Sequence, residues 1–160
     1  MNQNSASTAE LLKDYLQTHQ QDFYRLAYSY TKSRDAALDV VQDSIEKAIR
    51  KSGTLNHPDS LKPWFYRILV NESLSYLRRN KPLLSGDALQ DVPMMDGDPE
   101  AALDLYRAIG TLEPKLRTVI ILRFFEDLKL EQIAKVTHSN LSTAKSRLYR
   151  GLGLLKAYLK

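Results

Sequence analysis

A segment dense in proline and glycine divides this chain and limits what it can fold into. Between residues 82 and 99 no long helix or strand is expected, because proline removes a backbone donor and glycine weakens both structures. The segment is therefore predicted to be a flexible linker, with one small domain at 1–81 and a second at 100–160. The residues that interrupt regular structure are Pro82, Gly86, Pro93, Gly97 and Pro99.

The charged residues follow the same division. Residues 1–81 contain twelve Lys and Arg against nine Asp and Glu, and residues 107–160 contain eleven against four. Residues 82–106 contain no basic residue and six acidic ones: Asp87, Asp91, Asp96, Asp98, Glu100 and Asp104. The net charge of +4 favours a polyanionic partner only weakly, whereas the distribution indicates two basic domains joined by an acidic tether.

Both domains are predicted to be all-α. Alternating runs rich in Val, Ile and Thr are nearly absent, whereas apolar residues recur at helical spacing. Pro99 and Pro114 lie where helices often begin. The predicted helices span residues 8–18, 20–32, 34–51, 60–79, 99–111, 114–126, 130–137 and 140–158.

The composition argues against several functional classes. The chain has no cysteine, which excludes disulfides and thiolate metal ligands and fits a reducing compartment. Its histidines, His19, His57 and His138, are scattered, and no nucleotide-binding loop or nucleophile motif is present. We therefore expect no enzymatic activity, cofactor, metal or small-molecule substrate. The N-terminus lacks a signal-peptide pattern and no apolar run is long enough to span a bilayer, so a cytoplasmic protein is expected.

The C-terminal segment "IAKVTHSNLSTAKSRLYRGLGLLK" has the pattern of a helix-turn-helix. A short helix with Ile133 and Ala134 facing inward precedes a turn, in which Ser139 or Asn140 is expected to cap the next helix. On a helical wheel, one narrow apolar face of that second helix collects Leu141, Ala144, Leu148, Leu152, Leu155 and Leu159.

The opposite face of this second helix carries hydroxyl and cationic side chains. Arginine can contact guanine or phosphate, and the small hydroxyls permit close approach to DNA. An ordinary solvated face is the alternative, but no acidic residue follows Glu131, which favours nucleic acid. The candidate contacts are Ser142, Thr143, Lys145, Ser146, Arg147 and Arg150.

A second candidate surface lies in "LKPWFYRILVNESLSYLRRNK", residues 61–81. On a helix, aromatic, cationic and amide groups share one arc: Trp64, Arg67, Asn71, Ser75 and Arg78. Such a stripe suits unpaired DNA, because aromatics stack on bases and guanidiniums hold the backbone. The alternative is that Trp64 belongs to the core and that the arginines are merely solvated.

These features together resemble a known family. The chain is similar to the extracytoplasmic-function sigma factors, the two-domain promoter-recognition subunits of bacterial RNA polymerase. The resemblance depends on four blocks in order: "DVVQDSIEKAIR" at 39–50, "PWFYRILVNESLSYLRR" at 63–79, "LEPKLRTVIILRFFEDLKLEQIA" at 112–134 and "STAKSRLYRG" at 142–151. It implies a sigma region 2 helical bundle, a flexible linker and a sigma region 4 helix-turn-helix.

The resemblance also implies roles for particular residues. Docking to the clamp helices of the core polymerase is implied for Asp39, Gln42, Asp43 and Glu46. The loop from Leu55 to Leu61 corresponds to the one that cups a flipped base of the melted -10 element, with Asn71 facing it. Trp64, Arg67 and Arg78 belong to the same block and are candidate contacts to the single strand. The 140–158 helix corresponds to the one that reads the -35 duplex.

The implied partners are core RNA polymerase, through its clamp helices and flap region, promoter DNA, and a cognate anti-sigma factor. In many family members the anti-sigma factor is membrane-bound and acts in a stress or envelope response. The linker would thread polymerase channels otherwise used by RNA. Two other readings stay open: an autonomous dimeric helix-turn-helix regulator, and a helical adaptor that makes only protein contacts.

The chain departs from the family pattern in two places. Where the family's turn usually has glycine, proline and a further glycine, this chain has His138, Asn140 and Ser142. Leu55 stands where many members have an aromatic residue. The contribution of stacking to base capture is therefore expected to be smaller, and that of Asn71 larger.

Overall fold

The computed structural model describes residues 3–55, 60–80, 105 and 107–158, with side chains described from residue 8 onward. The predicted linker at 82–99 and residues 56–59 of the predicted base-cupping loop lie outside these ranges. The described part of the chain contains helices and no strand.

The helices follow the predicted order. They are α1 (Gln3–Thr18), α2 (Gln20–Thr31), α3 (Arg34–Arg50), a 3-10 turn (Ser52–Thr54), α4 (Leu61–Asn80), α5, α6 (Pro114–Phe124), α7 (Leu130–Val136) and α8 (Leu141–Tyr158). Of α5, residues 105 and 107–110 are described; the N-terminal part of the predicted 99–111 helix lies outside. Helix α1 begins five residues before its predicted start, because the polar residues ahead of it include no helix breaker.

The first domain is built on α2, α3 and α4, which pack against one another. Aromatic side chains fill its centre, and the rings of Phe23 and Phe65 lie 4.4 Å apart between centroids. Helix α1 adds the buried Leu12 and Leu16 to this core. The Ser33 side chain accepts a hydrogen bond from the Ala36 amide at 3.3 Å and so caps the N-terminus of α3.

The second domain contains the described part of α5 together with α6, α7 and α8, and α8 packs on both α6 and α7. Pro114 occupies the first turn of α6, as expected from its fixed φ angle. Burial in α6 is nearly continuous from Leu116 to Leu122, so this helix is the centre of the domain.

The two domains contact each other through two pairs of helices. Helix α4 packs against α7, and α2 packs against α6. Their apolar residues form one continuous core. The sequence did not predict how the two domains are oriented. In the structure they pack directly against each other.

Candidate nucleic-acid and polymerase interfaces

The N-terminus of α8 is held by a side-chain cap. The Thr143 amide donates to Oδ1 of Asn140 at 2.8 Å, which identifies Asn140 as the capping residue of the two predicted. Among the six predicted DNA contacts, Ser142, Lys145, Ser146 and Arg150 are exposed, while Thr143 and Arg147 are half-buried. The arrangement presents hydroxyls and cations around a helix N-terminus, where the aligned peptide dipoles attract phosphate.

The apolar face of α8 differs from the predicted one. Its buried residues are Ala144, Leu148, Gly151 and Leu155. Leu141 is 37% exposed and Leu152 is only partly buried, whereas Leu159 lies outside the described residues. The buried face is thus turned toward Gly151, because a position without a side chain lets α8 approach α6 closely. A prediction of the buried face from apolar side chains alone misses Gly151, because glycine has no side chain to count.

The turn between α7 and α8 ends the first helix with a Schellman motif. The Ser139 amide donates to the Ala134 carbonyl at 2.9 Å, and the His138 amide to the Lys135 carbonyl at 3.4 Å. His138 takes the left-handed conformation, with φ of 57°, at a place where the family usually has glycine. The turn therefore keeps the geometry that glycine favours, although a histidine with its Cβ strains the backbone there.

The stripe predicted on α4 is partly open. Arg67, Asn71 and Arg78 are exposed, Ser75 is half-buried, and Trp64 is half-buried against the core. Opposite the stripe, Phe65, Tyr66, Leu69 and Val70 are buried. Trp64 therefore combines a core contact with a partly accessible edge.

Leu55, the other predicted contact to the single strand, is only 7% exposed and belongs to the hydrophobic core. It ends the 3-10 turn that precedes residues 56–59, and its amide donates to the Ser52 carbonyl at 3.1 Å. In this conformation Leu55 anchors the start of the loop and does not present a surface for a base.

The predicted docking surface on α3 is exposed at every position. Asp39, Gln42, Asp43 and Glu46 all face solvent, and no ion pair between described residues involves them. The only pairing of α3 with a neighbour among those ion pairs joins Lys47 to Glu72 of α4, on another part of the helix. Unpaired acidic groups on a rigid helix are available to meet basic groups of a partner.

Sequence analysis missed two apolar residues on α3. Leu38 is 48% exposed and Ile49 is 59% exposed, and both lie beside Gln42 on the helical wheel. Helical spacing alone could have predicted their exposure, because neither residue falls on the buried face that carries Ala37, Val41 and Ala48. Together with the acidic groups they form an apolar and acidic surface, which suits a basic amphipathic partner.

The contact between domains involves predicted DNA-binding residues. Nε of Arg67 donates to Nε2 of His138 at 3.1 Å, so the α4 stripe is joined to the turn of the helix-turn-helix. Deeper in the contact, the Tyr66 hydroxyl donates to Oε1 of Glu126 at 2.6 Å. Burial raises the pKa of Glu126 from 4.5 to about 7, although the Tyr66 hydroxyl opposes the shift.

Cationic groups take part in the contact between the domains as well. Nζ of Lys32 donates to the Gly110 carbonyl at 3.1 Å, and the Arg117 guanidinium lies 5.4 Å from the ring centroid of Tyr30. Burial lowers the pKa of Arg117 and of Lys32, and nearness to Arg117 further lowers that of Lys32. Burial also raises the pKa of the Tyr30 hydroxyl.

His19 is the other histidine that the structure describes. His19 lies 3.2 Å from Asp22 through Nδ1, and His57 is outside the described residues. Within the described ranges, no group of three or more His, Asp or Glu side chains is arranged to hold a metal ion. In those same ranges, no helix has the length and apolar character of a membrane span.

Comparisons with known proteins agree with this arrangement. The sequence model of Sigma-70 region 2 matches residues 15–82, and that of Sigma-70, region 4 matches residues 102–155. RNA polymerase sigma factor SigV of Bacillus subtilis (strain 168) is 43% identical over 155 residues, which are 96% of this chain and 93% of SigV. The ECF RNA polymerase sigma-E factor of Haemophilus influenzae is 31% identical over 78% of this chain and 75% of its own.

Solved structures resemble the chain over both domains. The sigma factor RpoE from Bartonella quintana, in complex with the anti-sigma factor NepR, gives a TM-score of 0.75 at 28% identity, covering 92% of this chain and 97% of RpoE. CnrH, in complex with the cytosolic domain of CnrY, gives a TM-score of 0.71, and the match covers 97% of this chain and 94% of CnrH. At 20% identity, this similarity shows the fold alone. Both sigma regions match in order, and a relative aligns along almost its whole length; the chain therefore belongs to the extracytoplasmic-function family of RNA polymerase sigma factors.

Proposed function

We propose that this sigma factor reads the -35 element with α8, holds the melted -10 strand with α4, and docks on the core polymerase with α3. The observation that carries the proposal is the solvent face of α8. It holds Lys145, Ser146 and Arg150 beside a capped N-terminus, and no acidic residue follows Glu131. A helix of this kind fits a major groove, where arginine can bond guanine and small hydroxyls permit contact.

Within α4, the proposed contacts to the single strand are Arg67, Asn71 and Arg78, with the partly buried Trp64 at their edge. Their exposure on one arc supports a strip along which a strand can run. The burial of Leu55 favours a supporting role for it, behind the loop.

The proposed docking surface combines the acidic groups of α3 with its exposed apolar residues. Asp39, Asp43 and Glu46 would pair with basic groups of the polymerase clamp helices, while Leu38 and Ile49 would bury apolar area beside them. Reversal of charge at this surface should prevent assembly while leaving the fold intact.

The domain limits belong to the same proposal: 1–81 for docking and the -10 element, 82–99 for an acidic linker threading polymerase channels, and 100–160 for the -35 element. The polymerase would carry out nucleotide transfer, so this chain needs no catalytic residues of its own and works in the cytoplasm beside the polymerase. An anti-sigma factor is proposed as its regulator, since the related RpoE was crystallised with one.

Run-off transcription with bacterial core polymerase tests the proposal. Purified protein added to core enzyme and a set of promoter fragments is expected to give transcripts with defined start sites. Tight, sequence-specific gel shifts without polymerase, combined with no effect on start-site selection, would instead indicate an autonomous regulator and overturn the proposal.

A further inference from the structure

The two domains of this chain are joined by a buried hydrogen bond between residues 60 positions apart. The Tyr66 hydroxyl on α4 donates to Oε1 of Glu126, just after α6, at 2.6 Å. Tyr66 is 1% exposed and Glu126 is 3% exposed. A hydrogen bond of this kind, away from water, fixes the relative position of the groups that make it.

Further contacts join the same two domains. Lys32 donates to the carbonyl of Gly110, and the Arg117 guanidinium covers the Tyr30 ring. Arg67 is hydrogen-bonded to His138 in the helix-turn-helix. An N–H group that bonds the imidazole is not available to a DNA phosphate, so the closed arrangement occupies a proposed DNA contact.

The closed arrangement is also too small to reach both proposed promoter elements. At about 3.4 Å per base pair, the roughly 25 positions between elements named -35 and -10 span about 85 Å. A compact body of this length has a radius of gyration of about 15 Å, and hence a width near 40 Å. The domains must therefore separate before α4 and α8 can bind one promoter together.

The same interface contains features that oppose closure. Oε2 of Glu126 and Nε of Arg117 are buried and make no hydrogen bond with the described part of the chain. Buried polar atoms without partners cost free energy that they recover in water when the domains separate. The bond that joins the domains thus includes a carboxyl group whose ionised form prefers the open state.

We propose that Tyr66 and Glu126 form an intramolecular latch that holds the free sigma factor in a closed state, and that this state competes with promoter engagement. The competition depends on the proposed function, because it assumes that Arg67 and α8 contact DNA. The latch itself does not depend on it.

Distances between two spin labels test the latch. The chain has no cysteine, so Gly53→Cys and Gly153→Cys provide one label on each domain; a Cβ at either position meets nothing within 4 Å. Pulsed dipolar spectroscopy on the free protein is expected to show a dominant short distance. A dominant broad, long distance in the otherwise unchanged protein would overturn the proposal.

Two variants then change the latch in opposite directions. Tyr66→Phe keeps the ring but leaves the carboxyl without its donor, so the ratio of open to closed molecules should rise about fivefold or more. Glu126→Gln keeps an acceptor oxygen and removes the charge, so the ratio of closed to open molecules should rise several-fold at pH 8. The matched controls are Tyr158→Phe and Glu10→Gln, both at exposed positions. Equal distance distributions in Tyr66→Phe and Tyr158→Phe would refute the latch.

Run-off transcription at limiting sigma factor separates the latch from its consequence. Tyr66→Phe is expected to give more transcript than the unchanged protein, and Glu126→Gln less. If Tyr66→Phe opens the molecule without changing the transcript yield, the competition is refuted although the latch stands. If no variant directs transcription at all, the proposed function fails, and the label distances still decide whether the latch exists.

Discussion

Gly151 of α8 lies so close to Ile120 of α6 that a Cβ at position 151 would stand 3.1 Å from Ile120 Cγ1. Gly153, two residues along the same helix, has no neighbour within 4 Å of the corresponding point. The two glycines therefore have the same helix propensity, but a side chain would be crowded at position 151 and would enter open space at position 153.

This pair gives a stability prediction. Gly151→Leu should lower the free energy of unfolding by about 1–3 kcal/mol or more, because the side chain forces α8 away from the buried Ile120. Gly153→Ala should raise it by about 1 kcal/mol, since alanine is the better helix former and enters open space. Urea denaturation of each variant provides the measurement. Equal effects at the two positions would contradict the close packing.

The backbone of the helix-turn-helix turn gives a second prediction. His138 holds a φ of 57°, and both alanine and glycine at this position remove its bond to Arg67. His138→Gly should therefore be more stable than His138→Ala by about 1 kcal/mol, because only glycine adopts this conformation without strain. Thermal unfolding of the two variants compares them directly, and equal midpoints would show that no strain is stored there.

Arg150 is exposed on the face of α8 opposite its buried residues. Arg150→Ala should weaken promoter-dependent initiation about 5- to 150-fold at limiting protein, the loss expected for about 1–3 kcal/mol of base or phosphate contact. The helical circular dichroism signal should not change. Lys156→Ala removes an exposed charge further from the helix N-terminus and serves as the control. The assignment is wrong if the two variants initiate equally well.

Asp43 lies in the acidic surface of α3. Asp43→Arg should reduce affinity for core polymerase by at least about tenfold, because like charges placed together cost several kcal/mol. Asp14→Arg makes the same change of charge at an exposed position on α1 and should leave assembly unchanged. Co-purification with core enzyme reports the result, and normal assembly of the Asp43 variant would exclude this docking surface.

Glu126 makes the stability of the chain depend on pH. Its pKa is raised from 4.5 to about 7 in the folded state, so the folded state holds this proton more tightly than the unfolded one. The free energy of unfolding should therefore fall as pH rises from about 4.5 to 7. Above pH 7, Glu126 should cause no further change in the free energy of unfolding. The ionisable groups that face Glu126 are Tyr15, Asp22, Arg25, Lys62 and Tyr66, from α1, α2 and α4.

Glu126→Gln isolates this contribution. The variant should be more stable than the unchanged protein by about 1–3 kcal/mol at pH 8, because it buries no ionised carboxylate, and nearly equal to it near pH 5. Urea unfolding at both pH values measures the difference. A constant gap between the two proteins would mean that Glu126 does not titrate in this range.

Local patterns along the sequence were sufficient for the order of the helices and for the acidic face of α3, but not for the exposed apolar residues of α3 or the buried face of α8. Apolar spacing located the helices, and the side chains predicted to face outward on α3 are exposed there. Position before a periodic run limited the cap of α8 to Ser139 or Asn140, and the structure identifies Asn140. These features depend on residues within a turn or two of each other, which a single sequence displays directly.

The amino-acid sequence by itself determined an all-α chain, two helical units and a basic helix at its end. Only the tertiary structure decided that Gly151 rather than Leu152 faces α6, that Leu55 enters the core, and that Tyr66 meets Glu126 across the domains. The reason is physical: periodicity fixes which face of a helix is apolar, but the partner and the distance of approach depend on how distant segments fill shared space.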